Sequence, residues 1–189
     1  VSIPGRPTLL VVDASGNQLG WEHEFTDRVF STMRRRGLFL KQEAPARVHG
    51  PEELTPYLQP EDAFNCILLF AHGANPKDAS VAPLRAYWSW LSAYPWRTQK
   101  LFAVCTWEGD DPQTSKEVLE TPHSFAPLAL APLSPLSVRE AGLYFLKFFA
   151  ELDLHTSDLV TGKMVWFAAS KSRELLRRRK LTGTVGVRC

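Results

Sequence analysis

His72 and Cys105 have the types and the placement for nucleophilic chemistry. His72 closes the apolar run Ile67-Leu68-Leu69-Phe70-Ala71 and is followed by Gly73, while Cys105 closes Leu101-Phe102-Ala103-Val104. Apolar runs of about four to eight residues suit strands buried on both faces. If the two strands lie parallel and adjacent, His72 and Cys105 stand side by side at one sheet edge. A thiol attacks a carbonyl carbon as the thiolate, and a neighbouring imidazole is a base that can make it one. The expectation is a cysteine nucleophile with a histidine base. No third catalytic residue stands out in the sequence.

The surrounding pattern alternates strand and helix. Thr8-Leu9-Leu10-Val11-Val12 reads as a buried strand stopped by Asp13-Ala14-Ser15-Gly16-Asn17. Phe25, Val29 and Met33 share one face of a helix predicted over Glu22 to Arg36, with Gly37 ending it. Leu38-Phe39-Leu40 is a candidate short strand. Residues 44 to 60, rich in Pro and Gly, read as loop with a short helix around Glu52 to Leu58. The His72 strand, a helix from about Val81 to Ala93 and the Cys105 strand follow, then an acidic loop over Glu108 to Gln113 and one helical turn over Ser115 to Leu119. The prolines of Phe125 to Leu133 argue against a central strand and leave an edge strand open. Ser137 and Glu140 have the spacing of a capping box ahead of a helix facing inward through Ala141, Phe145, Phe148, Phe149 and Leu152. Val160 to Lys180 reads as the last helix. This order predicts an α/β fold, a three-layer α/β/α sandwich with a mostly parallel sheet. Ligands of such sheets bind at the carboxyl ends of the strands, where Asp13, His72 and Cys105 all fall.

Size and composition narrow the class. The chain has 189 residues, 44% hydrophobic and 22% charged, with a formal net charge of +2. That fits one globular domain over residues 1–189 and gives no reason to expect direct nucleic-acid binding. No apolar run approaches the roughly 20 residues of a membrane span, so no membrane partner is expected. Val1-Ser2-Ile3-Pro4-Gly5 lacks the basic-then-apolar pattern of a secretory signal and begins without Met, so we expect an excised, cytoplasmic domain. Three cysteines, Cys66, Cys105 and Cys189, are too few and too scattered for a disulfide framework or a zinc site. No HExxH, CxxC pair, P-loop or GxSxG occurs, and no metal or cofactor is expected. Trp88, Trp90, Tyr94 and Trp96 read as packing, and Arg34 to Arg36 and Arg177 to Lys180 as cations at helix carboxyl ends.

The order apolar strand, His-Gly, helix, apolar strand, Cys resembles the caspase-like cysteine peptidases. The stretch Ala131-Pro132-Leu133-Ser134-Pro135-Leu136-Ser137-Val138-Arg139-Glu140-Ala141, followed by Phe145 and Phe148-Phe149-Ala150-Glu151-Leu152, and Cys105-Thr106-Trp107-Glu108-Gly109, are similar to CHAT domains, a caspase- and separase-like group. The similarity spans residues 8 to 180. It implies a caspase-like sheet, a thiol protease acting on a protein or peptide substrate, and activity that waits on a regulatory protein partner or self-cleavage. In several such families the residue ending the first strand lines the pocket for the side chain before the cut. Asp13 holds that place, and a carboxylate there would select Arg or Lys. The other reading of Asp13 is a turn cap. Glu108, with Asp110 and Asp111, would add to a basic preference or belong to a solvated loop.

On this reading His72 takes the Cys105 proton, the thiolate attacks a peptide carbonyl, and His72 protonates the leaving amine before water releases the acyl group. The N–H groups of Gly73 and Cys105 are the expected oxyanion donors, Gly73 because it has no Cβ to obstruct a substrate. Two other classes stay open. A catalytically inactive caspase-like interaction module fits Thr106, where many active relatives carry Ser or Gly after the cysteine. A flavodoxin-like or TIR-like nucleotide-binding domain shares the strand and helix order. It would want a phosphate-cradling loop after the first strand, where this chain leads with Asp13.

Overall fold

A computed structural model describes residues 1–17, 20–73, 79–107 and 111–189, with Trp107 described by its backbone alone. The first long strand, β2 (Thr8–Ala14), follows a short β1 (Ser2–Pro4). Helix α1 (Glu22–Arg35) comes next, with Glu22 and Glu24 in its first turn and Arg34 and Arg35 in its last, the charge order that complements the helix dipole. Gly37, at φ +77°, makes the left-handed reversal beyond its end. Two short strands, β3 (Phe39–Leu40) and β4 (Ala46–Arg47), and two 3-10 stretches, Pro51–Leu58 and Glu61–Ala63, lead to β5 (Cys66–His72). The remaining elements are α2 (Leu84–Ala93), β6 (Leu101–Trp107), α3 (Pro112–Glu120), β7 (Leu128–Pro132), α4 (Val138–His155), β8 (Leu159–Thr161), α5 (Gly162–Arg178) and β9 (Val185–Arg188).

The main sheet runs β3-β2-β5-β6-β7-β9, with β4 also beside β2. Every pair is parallel except β7 with β9. β1 and β8 form a separate antiparallel pair. From β2 the chain adds strands first on one side, at β3 and β4, and then on the other, at β5. The topological switch point therefore lies between β2 and β5, where doubly wound sheets open a crevice at their carboxyl edge.

Alternation along the strands sorts the core into two layers. Leu9, Val11, Cys66, Leu68, Phe70, Leu101, Ala103 and Cys105 pack under α1, α4 and α5. Leu10, Val12, Ile67, Leu69, Phe102 and Val104 pack under α2, α3 and the 3-10 stretch at Leu54 and Leu58. The sheet is thus covered on both faces, the three-layer arrangement expected of continuous apolar strands. Trp88 and Trp96 belong to the second layer, Trp96 stacked on Phe125 with centroids 5.3 Å apart, so the aromatic cluster is packing.

Several sequence expectations change. Gln113, read as loop, and the single turn read over Ser115 to Leu119 belong to one nine-residue helix, α3. β7 is interior to the sheet, between β6 and β9. Its prolines are tolerated because Pro127 precedes the strand and Pro132 is its last residue. The segment read as one helix from Val160 begins instead with β8, and α5 starts at Gly162 behind the Thr161 cap. β9 was not anticipated at all. The capping box is as expected: the Ser137 hydroxyl accepts from Glu140 N–H at 3.2 Å, and Glu140 Oε2 accepts from Ser137 N–H at 2.8 Å. Glu140 Oε1 also accepts from Gly183 N–H at 2.7 Å, which fastens the approach to β9 onto the start of α4.

The opposite, amino edge of the sheet holds a buried lysine. Lys100 Nζ donates to the carbonyls of Glu61 and Phe64, both at 2.6 Å, and to Thr98 Oγ1 at 2.7 Å. It lies 4.1 Å from the Phe64 ring centroid and lines a cavity of about 400 Å³ with Asn65 and Arg97. Cys66, the first residue of β5, is fully buried nearby, a core position as expected.

Candidate active site at the carboxyl edge

His72 is the last residue of β5 and is 1% exposed. Its Nε2 lies 2.6 Å from the carbonyl oxygen of Ser15 and 3.7 Å from Glu22 Oε1. A carbonyl only accepts, so Nε2 carries a proton and donates to Ser15. The neutral ring then keeps its basic lone pair on Nδ1, a tautomer fixed by the partner of the other nitrogen. Ser15 comes from the turn after β2 and Glu22 from the first position of α1, so three elements meet at this imidazole across the switch point.

Cys105 faces the same layer as His72, toward α1, α4 and α5. The expectation that the two stand side by side needs correcting. β6 does not end at Cys105 but continues to Trp107, and the register pairs Phe70 with Cys105 and His72 with Trp107. Cys105 therefore lies diagonally below His72, one same-face step into the sheet. With strands about 4.8 Å apart and about 3.3 Å per residue, the Cα atoms are roughly 8 Å apart. No hydrogen bond joins His72 and Cys105. Cys105 is 0% exposed, and burial pushes its thiol well above the ordinary cysteine range. The expected partly exposed nucleophile is, in this conformation, a core side chain. Of the two expected oxyanion donors, buried Gly73 follows the end of β5, whereas the Cys105 backbone lies inside the paired stretch of β5 and β6.

Asp13 is also fully buried, and its carboxylate is taken up by its own chain. Oδ1 accepts from the Ser15 N–H at 3.2 Å and from the Ser15 hydroxyl at 2.5 Å. Oδ2 lies 2.7 Å from His23 Nδ1 and 3.8 Å from Arg47 Nε. The contact to Ser15 N–H, two residues on, is an Asx turn. Of the two readings of Asp13, the geometry displays the turn cap: a substrate guanidinium would have to displace His23 and Arg47 to reach it. Glu108, the other expected substrate contact, lies outside the described residues, as does Asp110. Asp111 caps α3 by accepting from Thr114 N–H at 2.9 Å.

Ser15, Glu22, His23 and Arg47 were missed in the sequence. Glu22 and His23 look like ordinary polar residues opening a helix, and a backbone carbonyl such as that of Ser15 leaves no trace in residue type. The one available signal was the adjacency of Glu22 and His23 to a predicted helix start near two strand ends. Among the described residues no group of three or more His, Cys, Asp or Glu side chains could hold a metal ion. No helix among them is long and apolar enough to cross a membrane.

No protein-family model matches this chain, and a search of curated proteins gives no match either.

Proposed function

We propose that the chain is a caspase-like domain whose carboxyl edge is a cysteine-endopeptidase site held in a closed form. The observation that carries this is the His72 imidazole, anchored through Nε2 by the Ser15 carbonyl and so left with its Nδ1 lone pair on the sheet face that Cys105 shares, one same-face step above it. Nucleophilic catalysis needs a thiol beside a base that a third group orients; the oriented base is present, and the thiol shares its face. In the open form Nδ1 takes the thiol proton and the sulfur bonds to the carbonyl carbon of a peptide. The C–N bond then breaks as Nδ1–H protonates the departing amine. Water, deprotonated by the same nitrogen, cleaves the thioester. On this reading Gly73 N–H helps hold the oxyanion. Opening has to bring the Cys105 sulfur out of the core and up to the level of His72.

The second reading is a non-catalytic interaction module of the same fold. It is favoured by the complete burial of Cys105, the rise of its thiol pKa and the distance along the strand from His72.

The test is labelling with peptidyl acyloxymethyl ketones bearing Arg, Leu or Asp before the warhead, with the modified residue located by peptide mapping. The peptidase reading expects labelling at Cys105 that His72→Ala abolishes, while simple alkylation of exposed Cys189 is unchanged. Equal, slow labelling of Cys105 with and without His72 establishes the non-catalytic reading.

A further inference from the structure

We infer that Asp13 is a positioning residue for His72, acting through the Ser15 carbonyl, and not a selector of substrate side chains. This rests on the reading of His72 as the catalytic base.

The connection is short and entirely buried. Asp13 Oδ1 grips Ser15 twice, through its N–H and its hydroxyl. The Ser15 carbonyl in turn receives the His72 Nε2 proton at 2.6 Å. Asp13, Ser15 and His72 are 0%, 0% and 1% exposed. The far side of Asp13 is fixed as well, because Oδ2 meets His23 Nδ1 from α1 and Arg47 from β4, and Arg47 is itself held by Asp27 at 2.5 Å. Gly16 closes the turn from the other direction. Its φ is +67°, and a Cβ there would lie 2.2 Å from Val81 Cγ2. Ser15 is therefore held on its amide side by Asp13, and the Ser15–Gly16 peptide that carries its carbonyl is confined on the other side by the Gly16 reversal.

The chemical consequence is independent of substrate. If the Ser15 carbonyl turns aside, Nε2 loses its 2.6 Å acceptor and is left with Glu22 Oε1, 3.7 Å away, as the weaker hold on its proton. The Nδ1–H tautomer, which cannot accept the thiol proton, then becomes populated. Every substrate is affected alike. A pocket-floor carboxylate would instead affect substrates with Arg or Lys before the cut and spare the rest.

The experiment uses the full chain labelled with ¹⁵N, observing the His72 ring nitrogens, alongside turnover of Arg, Leu and Asp peptides. Wild type is expected to show the Nε2–H tautomer. Asp13→Asn keeps an acceptor for Ser15, so the tautomer should persist and turnover should fall no more than about threefold. Asp13→Ala releases Ser15. It should give mixed tautomers and a drop in kcat of roughly 10- to 100-fold on all three peptides with KM little changed, the scale of a misplaced catalytic group. Where Asp13→Ala fails to fold, Ser15→Ala removes the hydroxyl bond alone and should still shift the His72 tautomer balance. An unchanged His72 spectrum in the folded variants, or a loss confined to the Arg peptide, overturns the inference. Absence of turnover by wild type in every condition overturns the peptidase reading instead, and the spectra still report on Asp13.

Discussion

Replacing Cys105 with Ser separates a core thiol from a surface nucleophile. The side chain is fully buried among Leu, Phe and Ala residues of the layer under α1, α4 and α5. No hydrogen-bond partner for its sulfur occurs among the described residues. A serine hydroxyl there gives up water and gains no acceptor, which costs about 1–3 kcal/mol. Exchanging the apolar sulfur for oxygen loses about a further 1 kcal/mol of transfer free energy, near the value of a buried methylene. The total is roughly 2–4 kcal/mol. For a domain of this size each 1 kcal/mol lowers Tm by about 2–4 °C, so the variant should melt on the order of 10 °C below wild type. Cys105→Ala, which leaves a small void and no orphaned hydroxyl, should lose only about 1 kcal/mol. Cys189→Ser, at an exposed position, should stay within about 0.5 kcal/mol. Circular-dichroism melts and urea titrations with unchanged m-values would measure all three. A Cys105→Ser variant that melts within about 1 °C of wild type refutes the reasoning. In that case the thiol faces solvent and the described packing around β6 is wrong.

Three other perturbations probe the frame around the site. Burial lowers the Lys100 pKa to about 8, against the raising influence of Glu61, so between about pH 8 and 10.5 the unfolded chain binds more protons than the folded one and stability rises with pH; Lys100→Met should remove that rise in urea midpoints measured from pH 7 to 10. Gly16→Ala forces a Cβ onto Val81 at a positive φ and should cost about 1–3 kcal/mol by urea titration. Burial would raise the Glu140 carboxyl, but the N–H groups of Ser137 and Gly183 and the Ser137 hydroxyl outweigh it and hold the carboxyl below the ordinary range. Its stabilisation is therefore present above the unfolded pKa and lost as pH falls through the folded one, and Glu140→Gln should flatten the acid limb of a stability-versus-pH curve.

Much of the frame was legible because buried parallel strands announce themselves. Leu9 to Val12, Ile67 to Ala71 and Leu101 to Val104 are apolar without interruption, and all three lie in central strands. Ser137 and Glu140 marked the start of α4 because a capping box is a local device. Short strands were harder: β9, Val185–Arg188, is four residues whose strand state depends on β7 beside it. At the site, strand ends could be placed only to within a residue or two, and Cys105 shows the consequence. Thr106 and Trp107 extend β6 past it, and that small extension takes the thiol from the rim into the interior. Asp13 was ambiguous because a carboxylate serves a turn or a ligand equally well. Only the positions of Ser15, His23 and Arg47 show how its lone pairs are used here.

The pairing of β6 is lopsided. β7 accompanies it from Leu101 to Ala103, while from Val104 onward its neighbour strand among the described residues is β5. A slide of β6 by one residue would send the thiol through to the α2 side, since side chains alternate faces. Fraying of its tip is the cheaper route. On the peptidase reading, three register pairs, Phe70 with Cys105, Ala71 with Thr106 and His72 with Trp107, stand between the closed and open forms. At about 1 kcal/mol for each hydrogen bond the toll is about 3 kcal/mol. On that reading the frayed species is then roughly half a percent of the molecules at rest. A regulator that grips the frayed tip about 1,000-fold better than the zipped one would bring it to parity or beyond. Such a regulator needs no contact with substrate, and the domain would rest silent without any inhibitor.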